Sequence, residues 1–254
     1  EKLGCELANV LGVPAARAEL ASIGDEPGIL VESIVPHEWS EEQKQPIRKG
    51  NLIHGNEILI GHISTYDKQK QWGQSEHTYE RIVDAISGVV LSERVDDILT
   101  GFAGLLVLDA LIGNTDRHHE NWALLRFPRP ESEQIWLSPS YDHASSLGRE
   151  LRDSRREAIL NENRVPQYVM SGRGAIFGQA EGKHADNPLD LVRWAAQRDP
   201  KYFSPWLERA RRVDINAILE LLDKMPTDVF GVAARRFCGE FLSYTLNELQ
   251  GINV

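Results

Sequence analysis

Two polar stretches carry side chains able to do chemistry. Asn114-Thr115-Asp116-Arg117-His118-His119-Glu120-Asn121 is the first, and Tyr141-Asp142-His143 follows beyond two short apolar runs. Phosphoryl transfer asks little covalent chemistry of a protein. It needs a carboxylate to orient the attacking hydroxyl, and oxygen ligands that hold magnesium against the phosphates. Asp116, Asn121 and Asp142 supply those groups. Hard oxygen donors suit Mg2+ better than zinc, although His118, His119 and His143 keep zinc under consideration. Asp and Asn also occupy turns and caps for purely local hydrogen-bonding reasons. What argues for chemistry is the ordered set within about 40 residues: apolar helix, polar loop, hairpin, acid.

The neighbours leave alternatives open. Arg117 either contacts a phosphate or pairs with an acidic neighbour and stiffens the loop, since its planar fork suits both. His118 assists proton transfer or lines a nucleotide site, whereas His119 points elsewhere and is structural or surface. Gly172, Gly174 and Gly178, in residues 164–182, permit a phosphate-cradling loop, but a mobile surface turn is the plainer account. Arg149, Arg152, Arg155 and Arg156 form a basic rim or, more simply, a solvated helix face. Trp72, Trp122, Trp136, Trp194 and Trp206 read as core or interface packing.

The elements that must position these groups follow from periodicity. Leu3, Leu7, Val10 and Leu11 recur at helical spacing and Gly12 with Pro14 supplies a stop, so residues 1–12 form the end of an amphipathic helix. Residues 16–23 and 28–34 read as strands joined by the turn Gly24-Asp25-Glu26-Pro27, and residues 36–50 as a polar connector. Ile82, Val83 and Ile86 mark a helix, and residues 102–112 a nearly all-apolar core helix ending at Gly113-Asn114. Residues 122–127 and 134–137 are short strands about a prolyl turn, Pro128-Arg129-Pro130. Residues 189–196, 215–222 and 229–249 are again helical in period.

With 254 residues and 41% hydrophobic composition, the chain can bury one substantial core or two lobes sharing a cleft. No apolar run approaches the roughly 20 residues of a membrane helix. Two distant cysteines, Cys5 and Cys238, indicate neither a disulfide framework nor a clustered zinc site and suit a reducing cytoplasm. The formal charge of -10 opposes a broad phosphate-backbone surface, so no nucleic acid is expected as main ligand, and no membrane. The chain starts at Glu1 inside a helical pattern without a methionine, which leads us to expect a missing upstream piece.

Asp116 and Asn121 keep the five-residue interval of the protein-kinase catalytic loop. The run from Leu111 to Trp122, with Leu137-Ser138-Pro139-Ser140-Tyr141-Asp142, resembles the C-terminal catalytic region of HipA-like serine/threonine kinases. The resemblance covers most of the chain, with weaker matches at residues 8–14 and 30–34. It implies an α+β, protein-kinase-like fold: residues 1–45 a partial N-lobe with hinge, residues 46–254 a helical C-lobe. It implies Asp116 as catalytic base with His118 beside it, Asn121 and Asp142 as Mg2+ ligands, and the main chain at Glu32, Ser33 and Ile34 as the ATP adenine contact. Glu1 would match the helix carboxylate that pairs with a phosphate-binding lysine. No glycine-rich phosphate loop or such lysine precedes the helix, and Lys2 reads as part of the helix itself, so an upstream segment or partner chain would supply both. The reaction implied is γ-phosphate transfer from ATP to a protein serine or threonine, by the toxin of a bacterial toxin-antitoxin system with an antitoxin partner. Two alternatives stand: phosphatidylinositol kinases share the Asp-Arg-His-x-x-Asn loop, which makes lipid a rival substrate, and the chain without its phosphate-gripping half would be a non-catalytic nucleotide-binding or regulatory module.

Overall fold

The computed structural model describes residues 1–127, 134–178 and 184–254. It opens with α1 (Lys2–Leu11), which buries Leu7, Ala8 and Leu11 on one face and ends at Gly12 in the left-handed conformation. The chain then turns back as a two-stranded antiparallel hairpin, β1 (Ala18–Ile23) and β2 (Glu26–Val31). The turn is shorter than the sequence implied: Ile23 faces Glu26, so only Gly24 and Asp25 form it, and β2 ends at Val31. Gly24 has a φ of 60°, the positive value that the first position of a tight two-residue hairpin loop favours.

Residues 36–50 are not a bare connector. They contain a second hairpin, β3 (His37–Ser40) with β4 (Gln45–Arg48). Its polar composition gives no hydrophobic alternation for a strand reading to detect. Next come β5 (Asn51–His54) and α2 (Gly55–His62), neither evident from periodicity. A Cβ on Gly55 would collide with the Trp122 ring, so only glycine lets this helix start against the sheet.

Two helices lead into the centre, α3 (Tyr79–Val89) and α4 (Ser92–Ile112). Every residue from Phe102 to Ile112 is buried, Asp109 included. A helix apolar on all sides needs partners on all sides. After the loop at 113–122, β6 (Ala123–Phe127) and β7 (Gln134–Leu137) complete a three-stranded antiparallel sheet of order β5-β6-β7. The expected prolyl turn at Pro128-Arg129-Pro130 lies outside the described residues. Trp122, fully buried, meets Phe102 edge-to-face at 5.3 Å, and burial of such a ring contributes about 1.5–3 kcal/mol.

Among the described residues six helices follow: α5 (Asp153–Asn161), α6 (Val165–Ser171), α7 (Pro188–Arg198), α8 (Pro200–Arg212), α9 (Ile215–Asp223) and α10 (Val232–Gln250). Of these, α7, α8 and α10 pack against α4, as α1 and α3 do from other sides. The architecture is mixed α/β, with small sheets around a helical body.

Candidate active site

The site is built from the C-terminal end of α4. Gly113, with a φ of 61°, ends the helix, and its N–H reaches the Asp109 carbonyl. A side chain there would strike the Phe241 ring. Asp109 sits on the last turn, 3% exposed, amid apolar neighbours. A buried carboxylate must be fully partnered. Arg117 supplies the partner through Nη2 at 2.7 Å and Nε at 2.8 Å, and Asn114 Nδ2 donates at 2.9 Å.

The same guanidinium spans both polar stretches. Nη1 donates to the Asn121 carbonyl at 2.5 Å and the Tyr141 carbonyl at 3.1 Å, and Nη2 to Ser140 Oγ at 3.1 Å. Burial works against its charge, but Asp109 outweighs that and holds it cationic. Of the two roles open to Arg117, the observed one is pairing with an acidic neighbour. It fastens the loop that carries Asp116 and Asn121 to the one that carries Asp142.

Asp116 is half-buried in that frame. Asn114 Oδ1 accepts its N–H at 3.0 Å, and Ser145 Oγ donates to its Oδ2 at 3.2 Å. Its Oδ1 is buried without a hydrogen-bond partner; His118 Nε2 is 3.8 Å away, too far for a hydrogen bond. Burial pushes the Asp116 carboxyl above its ordinary value, opposed by His118 and Ser145 and reinforced by the nearby Asp142 charge. Asn121 donates its side-chain amide to the Asp116 carbonyl at 2.8 Å, which leaves the amide oxygen as the end available to a cation. Asp142 is exposed and takes a φ of 55°, a left-handed conformation rare outside glycine and tolerated best by Asn and Asp. Asp116, His118, Asn121 and Asp142 thus belong to one constellation. Glu32, Ser33 and Ile34 follow β2; the Glu32 N–H reaches the Arg17 carbonyl at 2.8 Å, and no hydrogen bond or ion pair among the described residues joins the three to Asp116, Asn121 or Asp142.

The surroundings refine several expectations. His119 is structural and 1% exposed, with Nδ1 2.7 Å from Tyr66 Oη. Behind it His77 accepts from Trp122 Nε1 at 3.2 Å, and burial holds its imidazole near a pKa of about 3, hence neutral. Trp72 is not core: it is 58% exposed, with its ring 6.1 Å from that of His118. Trp136, 44% exposed, lies under Arg94. A cleft of about 210 Å3 opens beside Asp116, lined by Thr115, Ser145, Glu150, Tyr168 and Gly172. Gly172 is no loose turn, because the buried Asn187 amide donates to its carbonyl at 3.0 Å; residues 179–183 of that stretch lie outside the described ones. Glu1 faces His143, whose backbone N–H and ring both meet its carboxylate, and Lys2 pairs with Glu6 and Glu19.

Asn114, Ser140 and Ser145 escaped the sequence reading, as did the role of Asp109. Asp109 left a usable signal: a lone acid inside an apolar run must find a cation, and Arg117 was the nearest downstream. Ser140 and Ser145 left none, because serine is unremarkable in any loop.

A helical body with small antiparallel sheets, and an Asp/Asn loop clamped beside an Asp loop, sets the molecule in the kinase-like α+β class. The chain belongs to the family of the HipA-like C-terminal domain, whose model matches residues 1–168. It is similar in fold to the crystal structure of a Helicobacter pylori proinflammatory kinase, CtkA, at 19% identity and a TM-score of 0.78, over 98% of this chain and 84% of that one. It is also similar to HipA from the Shewanella oneidensis MR-1 toxin-antitoxin complex of HipA, HipB and operator DNA. There the identity is 16%, the TM-score 0.60, and this chain, matched over 100% of its length, spans 57% of that HipA chain. No curated protein matches it in sequence. No helix among the described residues is long and apolar enough to cross a membrane.

Proposed function

We propose that this chain is the catalytic region of an ATP- and Mg2+-dependent serine/threonine protein kinase. The observation that carries the reading is the buried, partnerless Oδ1 of Asp116 between Asn121 and the Asp142 loop, all held by one guanidinium. The donor types fit a hard cation: the Asn121 amide oxygen and the Asp142 carboxylate are oxygen ligands of the kind magnesium takes. When bound, Mg·ATP would supply the transferable γ-phosphoryl group and neutralise its charge.

Asp116 then orients the acceptor hydroxyl and takes its proton, a task suited by a carboxyl whose basicity burial has raised. His118 lines the same position. The cleft beside Thr115 and Ser145 gives the acceptor side chain its approach. Main-chain groups at Glu32, Ser33 and Ile34 make the adenine contact in this reading, with residues 1–45 on one side of the nucleotide and residues 46–254 on the other.

The likeness to HipA of the Shewanella complex with HipB and operator DNA supports a further step, a toxin with an antitoxin partner; a protein substrate, a cytoplasmic location and no nucleic-acid contact of its own complete the reading, the last resting on the net charge of -10. The test is calorimetric titration of Mg·ATP into the full native assembly beside Asp142→Ala, together with a phosphorylation assay of Asp116→Asn. Loss of the magnesium-dependent part of binding in the first and of transfer in the second is expected. Full transfer by Asp116→Asn would sink the assignment.

A further inference from the structure

The segment between α2 and α3 stands against the loop that carries Asp116, and it presents an exposed aromatic ring. The Trp72 ring is 6.1 Å from that of His118, and His118 Nε2 is 3.8 Å from Asp116 Oδ1. An indole is stabilised by burial, so 58% exposure leaves apolar surface in water that a bound side chain would cover. The ring is nonetheless held in place. Gln71, next to it, donates its side-chain amide to Glu120 Oε2. Asn56 Nδ2 reaches the Lys68 carbonyl at 3.4 Å and Glu120 Oε1 at 3.1 Å, and the Tyr66 hydroxyl lies 2.7 Å from His119 Nδ1. Inside the segment the buried Gln74 amide donates to the Asp67 carbonyl at 2.9 Å. His119 and Glu120, directly after His118, thus anchor the backbone on which Trp72 sits.

We propose, on the reading of Asp116 as catalytic base, that Trp72 is a specificity-determining residue which takes an apolar side chain of the protein substrate close to the acceptor serine or threonine. An extended peptide advances ~3.3 Å per residue, so the two separations above place the ring within about three residues of a hydroxyl on Asp116 Oδ1. An indole face accepts either an apolar group or a cation, and the charges around it select between them. Asp67 Oδ1 accepts the Gln69 N–H at 3.0 Å, and both Glu120 oxygens accept side-chain amides, so these carboxylates are engaged. Lys68 and Lys70 are exposed and have no ion-pair partner among the described residues. The free charge on the segment is therefore cationic, which disfavours lysine or arginine on the ring and leaves apolar burial and dispersion as the attraction. Trp72 governs which chain is held at Asp116, not the proton transfer itself, so its loss falls on KM.

The experiment gives the full native assembly Mg·ATP and a library of serine and threonine peptides, in which each of the three positions on either side of the acceptor is in turn Leu, Ala or Lys. Wild type is expected to prefer Leu over Ala by about 10-fold in kcat/KM at one of these positions, the scale of a single hydrophobic contact, and to disfavour Lys there. Trp72→Ala is expected to bring the Leu-to-Ala ratio close to unity, with the loss in KM, while Trp72→Phe retains most of it. A merely structural ring would lower transfer to both peptides alike and leave the ratio standing. No Leu preference in wild type, or one that survives Trp72→Ala, overturns the role of Trp72 while Asp116-dependent transfer to the library keeps the kinase reading. Weakened Mg·ATP binding in Trp72→Ala, read by calorimetry, overturns it too, by placing the ring on the nucleotide. Transfer that persists in Asp116→Asn, or is absent from wild type, removes both.

Discussion

The loop at residues 113–122 and the β1–β2 hairpin invert the ordinary rule of burial. In the loop Asn114, Arg117, His118, His119 and Asn121 are all buried, whereas in the hairpin Ile23 is 89% and Leu30 68% exposed. The loop is held by side chains reaching out of it, to Asp109, Ser140, Ser145 and Tyr66. The hairpin is held mainly by its own backbone pairing. A polar segment keeps its place in a protein interior when nearly all of its groups are partnered, so its order is cooperative and fragile to single deletions. An exposed hairpin has little to lose at any one side chain.

Arg117→Ala breaks this contrast most deeply. It strands Asp109 as an unpaired buried charge and should cost about 3–5 kcal/mol, read by denaturant unfolding. Arg117→Lys keeps the charge but cannot reach both loops through a planar fork, and should recover only part of that loss.

Asp116→Asn separates function from stability within the same loop. On the proposed reading, transfer falls by about 10²–10⁴-fold, measured as kcat/KM. Stability should hold or rise. A carboxyl raised above its ordinary value in the folded protein is one whose ionisation the fold disfavours, so at neutral pH the charge costs stability that an amide does not. The same shift moves the acidic limb of the wild-type rate profile upward from the ordinary aspartate value, with activity lost as pH falls through it and the limb absent from the variant.

Gly113→Ala sharpens the comparison from the backbone side, since it forces a side chain onto a positive φ and into Phe241. A loss of about 1–3 kcal/mol in thermal unfolding is expected. Ile23→Lys, at the tip of the hairpin, should change stability by no more than about 0.5 kcal/mol. A large loss there would mean that the hairpin carries packing of its own.

How much of this was legible depended on whether the signal was local. The core helix was, because residues 102–112 are apolar at every position but Asp109 and Gly113 ends them. So were the strands on either side of residues 128–133, each a short apolar run. The hairpin at 37–48 was not: its residues are mostly polar, and backbone pairing alone makes it a ribbon. Which half of the core-or-interface reading holds for Trp72 was not legible, because residue type says nothing of side-chain depth; the ring is exposed, beside that of His118.

The amino-acid sequence by itself carried the family, through the resemblance of residues 111–122 and 137–142, and the residue types of the candidate site, while periodicity within short windows marked the main helices. Tertiary structure alone decided the partnerships: Arg117 on Asp109 rather than on a phosphate, Asp116 with one oxygen left unmatched, and Glu1 and Cys5 brought to His143 from the other end of the described chain. Spacing along a chain specifies which groups are present. Which of them touch is set by the packing of helices far apart in sequence, through free energies to which no short window contributes alone.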